Sequence, residues 1–134
     1  MKVLVTGATG QVGSRLVRQL LRRNHEVRGT VWDKAPGLQH IEGFDVDVRA
    51  GELTDLDFVK QAVAGVDAVI HTANLVGPYF ENNVQTTLTV ARACGDAADQ
   101  LDRFIYVSSS GVFPNDSHVL ACAYHPVDEN HPKR

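Results

Sequence analysis

This sequence predicts an α/β fold built on a doubly wound parallel sheet, on three observations. Short strand-like runs alternate with helical patterns along the chain. The runs are almost wholly apolar, as strands covered on both faces require. The first of them passes into the first helical pattern through a glycine-rich turn. Its 134 residues, 43% hydrophobic and 22% charged, suffice for one domain with a core and leave no room for a second of ordinary size.

Residues 2–6 (KVLVT) are a short β-rich run closed by Gly7, and predict a buried strand. From Gln11 the period changes. Val12, Leu16, Val17, Leu20 and Leu21 recur at helical spacing, with Arg15, Arg18, Arg22 and Arg23 on the outer face and cations toward the C-terminal end, where the macrodipole favours them. Residues 26–31 (EVRGTV) predict a second strand, and residues 33–43, with Pro36, Gly37 and Gly43, a loop or frayed turn. A third strand is expected near residues 45–49, where Val46 and Val48 alternate with charges. Thr54 or Asp55 can then cap a helix through Val59, Ala62 and Val63. AVIH at residues 68–71 predicts the fourth strand. A long helix is expected over about residues 79–96 with Val84, Leu88, Ala91 and Ala93 inward, and RFIYV at residues 103–107 predicts the fifth strand. Right-handed crossovers favour the order 3-2-1-4-5.

The first strand-to-helix junction reads Gly7-Ala8-Thr9-Gly10-Gln11-Val12-Gly13. Its first glycine permits a sharp turn, the second lets backbone amides approach a pyrophosphate, and the third allows close helix–strand packing. The helix N-terminus adds unsatisfied donors and partial positive charge. A glycine motif in this strand–turn–helix setting predicts dinucleotide binding on a Rossmann fold. The end of the second strand carries the cofactor signal. Asp33, twenty positions after Gly13, suits the ribose hydroxyls of NAD, whereas Lys34 and Arg15 suit the 2′-phosphate of NADP, so both cofactors stay open.

Further along, an ordered series of motifs resembles the extended short-chain dehydrogenase/reductase family, of the sugar-epimerase and dihydroflavonol-reductase kind. It comprises TGATGQVG at residues 6–13, GELTD at 51–55, HTAN at 71–74, NNVQTT at 82–87, YVSSSGVF at 106–113 and VDENHP at 127–132. The resemblance implies an NAD(P)-dependent oxidoreductase, epimerase or dehydratase acting on a carbinol or ketone. It places Glu52 near the adenine, Leu53 against it, and Ala73 and Asn74 along the cofactor ribose and phosphate. Asn83 would help organise the site. Trp32 stands where reductase-like relatives carry an NADP-selecting arginine, and Val31 where NAD-using epimerases carry aspartate. Ser109 matches the catalytic serine or threonine, with Ser110 as the alternative; both follow the fifth strand, at the carboxyl ends where such sheets bind ligands.

The family's proton-donating YxxxK pair is absent. Tyr124 is followed four positions on by Asp128, Tyr79 by Asn83, and no tyrosine stands four before Lys133. The expectation is a sheet incomplete at its C-terminal side, truncated before that segment and catalytically incomplete, which self-associates through the exposed edge of its fifth strand as a homo-oligomer. A non-catalytic dinucleotide-binding or redox-sensing module is the alternative. Cys94 and Cys122 form no CxxC pair and read as buried thiols of a cytoplasmic protein. Six histidines without metal-ligand spacing predict no metal site, with His71 a packed, hydrogen-bonded residue. A net charge of −3 predicts no nucleic-acid partner, and apolar runs of strand length predict no membrane span.

Overall fold

The structure, a computed structural model, describes residues 1–32 and 37–109. Five parallel strands, β1 (Lys2–Thr6), β2 (Glu26–Val31), β3 (Val46–Ala50), β4 (Ala68–His71) and β5 (Arg103–Tyr106), lie in the order β3-β2-β1-β4-β5. Three α-helices connect them: α1 (Gln11–Arg22), α2 (Leu56–Val63) and α3 (Phe80–Asp96), with a 3₁₀ turn at Leu38–His40 before β3. The strand order is the expected one, and each strand starts and stops within one residue of its sequence-based placement. β1 and β3 are closed by Gly7 and Gly51 and β4 by Thr72, residues that break or weakly extend an apolar run, which is why these strands are placed so well.

The sheet has a core on each face. On one, α1 covers Val3, Val5, Val27 and Val31 with Val17 at its centre. On the other, α2 and α3 cover Leu4 and Val69 with Val59, Ala62, Val63, Val90 and Ala93. Each fully buried aliphatic side chain here stabilises by about 1.5–3 kcal/mol relative to exposure. The sheet is densest at β1, β2 and β4, while β3 and β5, at its margins among the described residues, keep several exposed positions. Arg28 on β2 is buried, and its guanidinium donates to Asp47 on β3 (2.8 Å) and to the Ala62 and Ala64 carbonyls at the end of α2 (2.8 Å each). It thus closes a helix C-terminus and meets its counterion in one group. The Arg49 and Arg28 side chains bonded to Asp47 hold its carboxyl below the usual carboxylate range.

Two helix faces differ from expectation. Val12 is exposed, because the buried stripe of α1 begins at Gly13 and Ser14 and continues to Val17. On α3, Val84 and Leu88 point outward, Ala91 is only half-buried, and Thr86, Thr89, Val90, Ala93 and Cys94 face inward. Thr89 tolerates this position because its Oγ1 donates to the Gln85 carbonyl (2.8 Å). A hydroxyl satisfied by its own helix leaves a methyl group for the core. Of the two caps open at α2, Asp55 is the one used: its Oδ1 accepts from the Asp57 and Phe58 amides at 2.9 and 3.3 Å. Asp55→Ala is expected to cost about 1 kcal/mol, read as a lower urea midpoint at unchanged slope. Cys94 is a free buried thiol, its pKa pushed up to about 11 by burial; Cys122 lies outside the described residues.

Candidate dinucleotide-binding site

Parallel pairing sets Thr6 opposite both Thr30 and His71, and His71 opposite Tyr106, so the strands finish along one end of the sheet. The strand order reverses between β1 and β4, and there a cleft of about 390 Å³ opens. The glycine turn forms its centre. Gly7 sits at φ +67°, and a Cβ there would lie 2.9 Å from the Ala73 Cα. Gly13 is tighter: a Cβ would come within 2.1 Å of the Gly7 carbonyl oxygen. The two glycines therefore let β1, α1 and the exit of β4 converge. At the N-cap of α1, Gly10 offers no side-chain cap, and no acidic residue occupies the first turn. A helix start left open in this way presents amide donors and dipole charge to an anion.

The cleft is lined by Gly7, Thr9 and Gly10 at the turn. Thr30, Val31, Trp32, Gly51, Glu52 and Leu53 line it at the β2 and β3 side, and Thr72, Ala73, Asn74, Leu75, Asn82, Asn83 and Thr86 at the β4 and α3 side. Among the sequence-based candidates, Gly7, Thr9, Gly10, Trp32, Glu52, Leu53, Ala73, Asn74 and Asn83 are thus brought together. Gln11, Val12 and Gly13 follow Gly10 in the first turn of α1 and are not among the residues that line the cleft; what they can offer a ligand there is their backbone amides. Ser109 is exposed three residues past the end of β5. Asp33 and Ser110 lie outside the described residues.

Sequence reasoning missed Thr30, Gly51, Thr72, Leu75, Asn82 and Thr86. Gly51, Thr72, Asn82 and Thr86 fall inside the quoted motifs, which was the available signal; Thr30 is found only through its register with Thr6. Thr30 is 1% exposed and its hydroxyl is without a partner, although it borders the cleft. The indole N–H of Trp32 donates to Glu52 Oε1, joining the ends of two neighbouring strands.

Asn83 works through the backbone. Its side chain accepts from the Leu75 amide (2.9 Å) and donates to the Leu75 carbonyl (2.8 Å), pinning the segment after β4 to α3. Asn83→Ala is expected to cost about 1–2 kcal/mol and to speed hydrogen exchange at the Leu75 amide while helix content is kept.

His71, at the end of β4, is wholly buried between Thr6 and Thr87 and stacks on Tyr106 at 5.7 Å. Thr6 Oγ1 accepts from the Thr72 and Ala73 amides (3.2 and 3.3 Å), so its own proton goes to His71 Nδ1, 2.6 Å away. The imidazole then carries its proton on Nε2, which donates to Thr87 Oγ1 (3.3 Å). Burial pushes this histidine down from 6.5 to about 4, so it is neutral in neutral solution. One neutral ring thus ties β1, β4 and α3 together directly beneath the cleft.

The model of the NAD dependent epimerase/dehydratase family matches residues 3–132. This chain belongs to that family. Among its relatives, it is 37% identical over 124 residues to the 3 beta-hydroxysteroid dehydrogenase/Delta 5-->4-isomerase of Mycobacterium tuberculosis, covering 83% of this chain and 32% of that protein. It is 36% identical over 124 residues to the 2-alkyl-3-oxoalkanoate reductase of Stenotrophomonas maltophilia, covering 88% of this chain and 36% of that one. A solved short-chain dehydrogenase/reductase superfamily protein from Agrobacterium tumefaciens with bound NAD superposes with a TM-score of 0.76. It is 29% identical, over 100% of this chain and 39% of its own. The chain therefore spans about a third of the length of the curated relatives it matches. Among the described residues, no helix is long and apolar enough to cross a membrane.

Proposed function

We propose that this chain holds NAD(P) with its pyrophosphate on the amides at the start of α1, as the nucleotide-binding portion of an oxidoreductase, epimerase or dehydratase. The observation that carries the reading is the open α1 N-terminus at Gly10, set in a cleft where glycine alone fits beside it. In this orientation the adenosine half lies over the ends of β2 and β3, against Leu53 and within reach of Glu52. The other half runs past Ala73 and Asn74 toward α3. The unpartnered Thr30 hydroxyl at the cleft floor fits a polar ligand group or a water bridging to one.

A bound nicotinamide supplies hydride exchange with a carbinol or ketone carbon. The residues of this chain bind and orient. Gly7 and Gly13 keep the turn compact, and Asn83 positions the segment after β4. Ser109, with Ser110 as the alternative, hydrogen-bonds the substrate oxygen. The inert, buried thiol of Cys94 supports a cytoplasmic setting. Calorimetric titration with NADH and NADPH, followed by turnover with simple ketones, tests the proposal. Saturable binding at one site is the expected result, and binding of neither cofactor contradicts it. Turnover separates an enzyme from a binding module.

A further inference from the structure

We infer that His40 is a positioning residue for the glycine turn, its ring holding the Thr9 carbonyl back from the anion site at the start of α1; this rests on the dinucleotide reading above. His40 closes the 3₁₀ turn before β3, and its Nδ1 lies 2.9 Å from the Thr9 carbonyl oxygen. A carbonyl only accepts, so the ring carries a proton on Nδ1 and donates it there. The 3₁₀ turn is fastened without help from that ring. Ile41 is 4% exposed and shares a core with Val17 of α1. From α1, Arg18 donates to the His40 carbonyl (3.3 Å) and sets its guanidinium over the Phe44 ring, 5.4 Å from the centroid. Gly37, at φ +117°, leaves the space: a Cβ there would lie 3.1 Å from both His40 Nδ1 and the Thr9 oxygen.

The bond matters because of what it fixes. In a trans peptide the C=O and N–H point opposite ways. The Gly10 N–H donates to the Gly7 carbonyl (3.0 Å) and His40 takes the Thr9 oxygen, so the Thr9–Gly10 peptide is held at both ends. Thr9 and Gly10 line the cleft and His40 does not, so the oxygen is engaged by a side chain outside the lining. A peptide released from His40 is free to rotate. Its oxygen would then turn toward a bound pyrophosphate, setting a negative dipole end against the anion and opposing the field of the α1 N-terminus.

Calorimetric titrations of NADH and NADPH against wild type, His40→Ala and His40→Asn test the role, together with imidazole nitrogen NMR of the free wild-type protein. Asparagine carries its amide nitrogen as many bonds from the backbone as histidine carries Nδ1, so it can remake the bond; alanine cannot. The alanine variant is expected to bind both cofactors about five- to tenfold more weakly, by the same factor for each, and the asparagine variant to return within about twofold of wild type. Read on the neutral ring, the nitrogen shifts should place the His40 proton on Nδ1, whereas a solvated imidazole favours Nε2. A His40 ring protonated on Nε2, an alanine variant that binds as tightly as wild type, or an asparagine variant as weak as alanine each overturns the inference and leaves dinucleotide binding intact. Failure of the wild type to bind either cofactor removes the dinucleotide reading itself and the inference with it.

Discussion

Gly13→Ala is expected to abolish dinucleotide binding and to destabilise the fold together. The added methyl would stand 2.1 Å from the Gly7 carbonyl oxygen, 2.9 Å from the Gly7 carbonyl carbon and 3.1 Å from the Ala8 Cα. All three are backbone atoms, so no rotamer change relieves the clash, and α1 must lift from β1. That movement opens the Val17 contact with the sheet and carries the first-turn amides away from the cleft. Overpacking of this kind costs about 1–3 kcal/mol. The loss of two charge-assisted hydrogen bonds to a pyrophosphate adds about 3 kcal/mol to binding, an affinity loss of about a hundredfold or more. Urea denaturation and calorimetry on the same protein read the two effects separately. Gly10→Ala is the contrasting variant: a Cβ there has one close neighbour, the Gly7 oxygen at 3.2 Å, and φ is −70°. It should keep most of the stability and lose affinity alone.

Acid should destabilise the protein well above the range in which its carboxylates titrate. His71 takes up a proton near 6.5 when unfolded and near about 4 when folded. Between those values the unfolded chain holds more protons, so stability falls with pH. The stabilising contribution is complete above pH 6.5 and lost as pH falls through about 4, a swing of about 3 kcal/mol. Asp47 and Asp96, both held below the ordinary 3.8 by their cationic partners, act in the same direction only at lower pH. A protonated His71 would have no lone pair at Nδ1 for the Thr6 hydroxyl, which also anchors the Thr72 and Ala73 amides at the cleft. Urea midpoints from pH 7 to pH 4 should fall steeply in the wild type and shallowly in His71→Gln. A flat wild-type profile would show that the ring accepts its proton without cost.

The strands and their order were legible because β1 and β4 are apolar runs stopped by Gly7 and Thr72, β3 alternates valines with charges up to Gly51, and parallel connection admits few orders. The glycine turn was legible because three backbone demands fall on three fixed positions. The inner face of α3 was not, since hydropathy ranks Val84 and Leu88 above Thr89 and does not register that this threonine's hydroxyl satisfies itself on its own helix. The Trp32–Glu52 bond was hidden for another reason. The partners are twenty residues apart, and only the pairing of Val31 with Ala50 brings them together. His71 read correctly as a packed residue, but its role as a three-element tie depends on Thr6 and Thr87 arriving from β1 and α3.

The most direct measurement is an amide NMR titration with ADP-ribose, which carries the adenosine and pyrophosphate and nothing of the nicotinamide. The largest shifts should fall on the amides of Gly10 to Gly13 and on the Trp32 indole, saturating together. Saturable binding that leaves the Gly10 amide unmoved, or no binding at all, would show that the turn between β1 and α1 is not where this protein meets its ligand.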